Sequence, residues 1–134
     1  MISFTVPGEP KPKGRPRFTK YGHIYTPEKT KIYEQQIRAA FMDTDAECIG
    51  NKEPVKISIK AYFKIPKNDS KRKRDDKNSG IIRPVKRPDT DNIVKSVLDG
   101  LNKFAYEDDS QVVEVSASKY YSDDPRTEVI ISRL

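Results

Sequence analysis

Residues 87–115 read RPDTDNIVKSVLDGLNKFAYEDDSQVVEV. Ile93, Val94, Val97, Leu98, Leu101 and Phe104 recur at helical spacing, so an amphipathic helix is expected from about Asn92 to Lys103. The next residues, YEDDS, are turn formers, and QVVEVSASKYY restarts the chain as a strand rich in Val and Tyr. A helix feeding directly into a strand is half of a layered domain.

The rest of the chain supplies the other half. Residues 55–64 (VKISIKAYFK) alternate, with Val55, Ile57, Ile59, Ala61 and Phe63 on one side and Lys56, Ser58, Lys60 and Lys64 on the other. Residues 2–6 (ISFTV) predict a short strand, and TEVIISRL at the end predicts another, joined to QVVEVSASKYY by a hairpin at Asp123-Asp124-Pro125. Thr26-Pro27 opens a helix running to about Met42, with Tyr33, Ile37, Ala40 and Phe41 on its apolar face. The expectation is a small α+β domain over residues 1–134, with a mixed β-sheet of about four strands and two main helices.

Two segments fall outside this plan. Residues 7–20 hold four prolines and five bases, which excludes helix or central strand and predicts an extended basic arm. Residues 65–87 are polar, charged and without periodicity, and are expected to form a basic mobile loop.

Composition bounds the chemistry. The chain has 134 residues and a formal net charge of +6. The charge is segregated: residues 64–87 carry ten bases and three acids, whereas residues 88–134 carry five bases and ten acids. Such separation suits phosphate grips in one place and working carboxylates in another. Cys48 is the only cysteine, which excludes an internal disulfide and fits a reducing cytoplasm. With His23 as the only histidine, a zinc site of His and Cys is disfavoured, and any metal must be held by oxygen. No apolar run is long enough for a bilayer span and no signal peptide precedes the first strand, so a cytoplasmic protein without membrane attachment is expected. The hydrophobic fraction of 34% is low, and a subunit interface is one way to supply the missing burial.

The acids flanking the helix are the candidate site. Asp89 and Asp91 are two apart, so in an extended segment their side chains share a side. Glu107-Asp108-Asp109 can approach them if the chain doubles back. Three carboxylates make a hard oxygen site suited to Mg²⁺ and to phosphodiester hydrolysis. Lys95, four residues after Asp91, shares its helix face and can contact the attacked phosphate. Asp91 is equally an ordinary helix cap, and the 107–109 acids an ordinary solvated turn.

The D-x-D-N, helical Lys and D-D-x-Q-V pattern within 87–115 resembles the RusA family of Holliday junction resolvases. KPKGRPRFTKYGHIYTPEKTKIYE near the N-terminus likewise resembles the opening of RusA-like proteins of Gram-positive bacteria and their phages. The resemblance implies a homodimeric, Mg²⁺-dependent endonuclease that makes paired nicks across four-way DNA junctions in recombination and repair. It assigns metal binding and catalysis to Asp89, Asp91 and Asp109, with Asp108 as a further match, and a functional role to Lys95. The bases Lys11, Lys13, Arg15, Arg17 and Lys20 are expected to form one DNA contact arm, and Lys71, Arg72, Lys73 and Arg74 a second. One alternative is a non-catalytic phage accessory protein binding branched or single-stranded DNA; another is an interaction protein whose basic arms meet an acidic protein partner.

Overall fold

Alternation along residues 55–64 sets the centre of the molecule. In the computed structural model, which describes residues 1–12, 17–25 and 28–134, strand β4 (Val55–Lys64) is central in the sheet. Its order is β1-β6-β4-β5, with β1 Ile2–Pro7, β5 Val112–Ser122 and β6 Arg126–Arg133. A separate two-stranded hairpin pairs β2 (Arg17–Phe18) with β3 (Ile24–Tyr25). The helices are α1 (Glu28–Met42), α2 (Lys71–Asn78) and α3 (Thr90–Leu101). The α+β expectation is met, with a mixed four-stranded sheet and three helices in a single small domain.

The core is a helix layer on one sheet face. Val55, Ile57, Ile59, Ala61 and Phe63 are buried with Tyr33, Ile37 and Phe41 of α1 and Ile93, Val97 and Leu101 of α3. Phe4 of β1 meets Phe41 edge-on at 6.1 Å, and Val129 and Ile131 complete the layer from β6. Tyr33 and Thr127 share a buried hydroxyl hydrogen bond of 3.0 Å. Helices α1 and α3 cross at Gly100, where a Cβ would meet the Glu34 carbonyl at 3.1 Å and Ile37 at 3.2 Å. Gly100→Val should therefore cost about 2–3 kcal/mol, as overpacking of a crossing that cannot spread; a denaturant midpoint equal to that of the parent would contradict it.

Three expectations need correction. The segment 65–87 is not a mobile loop, because it contains α2, capped by the Ser70 hydroxyl accepting from the Lys73 amide at 3.3 Å. The helix buries no residue, so it leaves no apolar period to detect. Polar ties hold it instead: Lys77 pairs with Asp69 and lies 4.7 Å from the Tyr121 ring, and Arg74 bonds the Pro66 carbonyl at 2.9 Å and Asp123 at 2.6 Å. The following residues dock too, with Arg83 stacked 3.9 Å from the Tyr120 ring.

The second correction concerns the closing strands, which do not form a hairpin with each other. β5 runs parallel to β4, and β6 lies antiparallel on the other side of β4. Residues 123–125 therefore carry the chain past the end of β4. Strand β4 buries one whole face, and flanking it on both sides satisfies its backbone as well. The third correction is that the basic arm ends in the β2–β3 hairpin. The expected cap Thr26-Pro27 lies outside the described residues. Among those residues no helix is long and apolar enough to cross a membrane.

Candidate active site

The chain enters α3 through a cis Arg87–Pro88 bond, and Asp89 is the N-cap. Its backbone is extended (φ −68°, ψ 157°) and its carbonyl accepts the Ile93 amide at 3.0 Å. Its carboxylate makes no capping hydrogen bond. The helix begins at Thr90, two residues earlier than the apolar period suggests, so Asp91 is not the cap but a first-turn residue. The pair thus straddles the helix start, with Asp89 extended and Asp91 helical, so the two do not share a side in the way an extended segment would dictate. Both carboxylates are exposed, as is Lys95 one turn further on. Acids here are favoured by the positive end of the helix.

At the far end of α3 the chain turns sharply. Lys103 takes a positive φ of 72°, and the Ala105 amide bonds the Leu101 carbonyl at 2.9 Å. Buried Tyr106 folds under the helix and donates its hydroxyl to the Leu98 carbonyl at 2.9 Å. Burial, and then the neighbouring carboxylates of Asp109, Asp99 and Asp108, hold that phenol well above its ordinary range. Asp108 caps a short 3-10 turn, Asp109–Gln111, that leads into β5. Its side chain accepts from the Ser110 hydroxyl and from the Ser110 amide at 3.0 Å, which lowers its pKa, helped by Lys103 at 3.6 Å. Asp108 is thereby committed to the turn, whereas Asp109 is exposed.

The residue that fixes this turn is Gln111, which the sequence reading did not single out. It is buried, its side-chain oxygen accepts the Asp108 amide at 2.9 Å, and its Nε2 donates to Gly50 at 2.7 Å and Glu53 at 3.2 Å. The signal was present as the Q of D-D-x-Q-V; a polar residue placed just before an apolar strand is easily taken for solvent.

The acids therefore lie at opposite ends of α3, Asp89 and Asp91 at its first turn and Asp109 beside its last. From Asp91 to Leu98 the helix rises about 10 Å. Among the described residues no three His, Cys, Asp or Glu side chains gather as a metal-binding group. Two exposed carboxylates at one end do fit Mg²⁺, which keeps waters and needs only one or two carboxylates beside phosphate oxygens. Within one chain Asp89 and Asp91 stand at the helix head and Asp109 near its other end, so the three expected ligands do not gather.

Of the expected DNA contacts, Lys11, Lys20, Lys71, Arg72 and Lys73 are exposed, the last three on the first turn of α2. Arg74 is tied to Asp123. Arg17 is in β2, and Lys13 and Arg15 lie outside the described residues.

Residues 7–132 match the endodeoxyribonuclease RusA family model, and the chain belongs to that family. It is also similar to the uncharacterized protein YqaN of Bacillus subtilis (strain 168), at 42% identity over 97% of this chain and 94% of that protein.

Proposed function

We propose that this protein is a homodimeric, Mg²⁺-dependent endonuclease that resolves four-way DNA junctions by paired nicks in recombination and repair. The family match over residues 7–132 carries the reading. Asp89, Asp91 and Asp109 would hold Mg²⁺, which when bound supplies charge neutralisation at a phosphodiester oxygen and a more acidic attacking water. Lys95 positions the attacked phosphate from the same helical stripe as Asp91. Cutting of a synthetic junction with Mg²⁺, and none in chelator, is the expected result; binding without cutting in either condition would leave only a branched-DNA binder.

The dimer supports the chemistry as well as the symmetry of the substrate. β5 is an edge strand, and its exposure is confined to its first half, with Val113 59% and Val115 42% exposed. Its second half is covered by the segment leading to Asp89, where Arg83 bonds the Lys119 carbonyl and Lys119 bonds the Lys86 carbonyl. An unpaired edge with exposed valines is a template for a second strand. If two copies pair antiparallel about residues 114–115, Asp109 of the partner subunit falls opposite Lys119–Tyr120, on the side that carries Asp89 and Asp91. Each cation would then be held between subunits.

DNA attraction is assigned to Lys11, Lys13, Arg15, Arg17 and Lys20 in one arm and Lys71, Arg72 and Lys73 in the other, with Arg74 supporting α2. Cations on the first turn of a helix oppose its dipole, and a phosphate would relieve that opposition. Changing Lys71, Arg72 and Lys73 together to Gln should lower the slope of log affinity against log salt by about two to three. An unchanged slope would remove α2 from the interface.

A further inference from the structure

The β2–β3 hairpin has no core of its own. Every residue from Phe18 to Ile24 is exposed. Phe18 and Ile24 oppose each other in the ladder and so share a face, and Phe18 is 70%, Tyr21 77% and Ile24 66% exposed. Isolated two-stranded hairpins are marginal in water, and three large apolar side chains displayed on one imply a partner.

The tip is nevertheless well defined. The Thr19 amide bonds the His23 carbonyl at 2.7 Å, and the Thr19 hydroxyl accepts from the amides of Tyr21 at 3.3 Å and His23 at 3.1 Å. Gly22 takes φ +82°, which closes the turn. Lys20 stands 5.2 Å from the Tyr21 ring centroid. Residues 17–25 include Arg17 and Lys20 and no acid, and the preceding arm adds Lys11, Lys13 and Arg15. Aromatic rings interleaved with cations suit a nucleic-acid base that has lost its stacking neighbour, with its phosphate beside it.

We propose that the hairpin is a stacking element: Phe18 and Tyr21 take unstacked bases of DNA, and Lys20 takes the adjoining phosphate. This rests on the junction reading, since a branch point is where a resolvase meets such bases, and it explains selection by structure without base readout, because every base has a stacking face.

The chain has no tryptophan, so Phe18→Trp gives a single indole reporter. Its emission should be quenched by a four-way junction and by an oligothymidine strand in chelator, and much less by linear duplex. Phe18→Ala with Tyr21→Ala should weaken junction binding about tenfold or more while duplex binding holds. A reporter protein that binds and cuts junctions without quenching would sink the stacking inference alone. Quenching by the single strand in a protein that leaves junctions uncut with Mg²⁺ would keep it and sink the junction reading. Conversion of a dimer to a monomer by Phe18→Ala in sedimentation would make the hairpin a subunit contact and overturn the proposal.

Discussion

Asp89→Asn is expected to cut four-way junctions roughly a thousandfold more slowly than the parent, with junction affinity in chelator unchanged or slightly raised. Asp89 is the N-cap of α3, yet its carboxylate makes no capping bond, so the amide should leave the helix and the core intact. Removing a negative charge also cannot weaken attraction to phosphate. The measurement is single-turnover cleavage beside a gel-shift titration. Cleavage at the parental rate would remove Asp89 from the metal site, and a parallel loss of binding would make it structural.

The second result concerns where the acids meet. Asp89→Asn and Asp109→Asn should each be inactive alone. Refolded together, they should recover nicking of one strand per junction, at roughly a quarter of the parental number of intact sites, because half of random dimers are mixed and each mixed dimer holds one complete set. If the site were built within one chain, every subunit would carry a defect and the mixture would stay silent. That silence, with mixed dimers confirmed by mass after one variant is labelled with nitrogen-15, would overturn the shared-site reading.

The architecture was legible where burial is one-sided. Strand β4 alternates except at Tyr62, and Val55, Ile57, Ile59, Ala61 and Phe63 are the residues it buries. Helix α3 was found from its stripe, but its start was misplaced by two residues, because Thr90 and Asp91 are polar helical residues that no apolar period includes. Helix α2 was invisible for the same reason in stronger form: it rests on Lys77–Asp69 and Arg74–Asp123 rather than on a buried face. Strand pairing escaped as well, since three residues between β5 and β6 imply a hairpin locally, and only the demand of β4 for two neighbours separates them. The acids stand out in the sequence by motif, and the structure leaves Asp89, Asp91 and Asp109 exposed. The helix between them is legible, but not whether the chain after it doubles back far enough to bring Asp109 to its head.

Gln111 ties this geometry to a distant stretch of chain. Its amide nitrogen is held by carbonyls of Gly50 and Glu53, 61 and 58 positions upstream. The turn that presents Asp109 thus takes its coordinates from a bend far away in the chain. If Asp109 is a metal ligand as proposed, drift in the 50–53 bend would surface as a change in the rate of junction cutting rather than in fold.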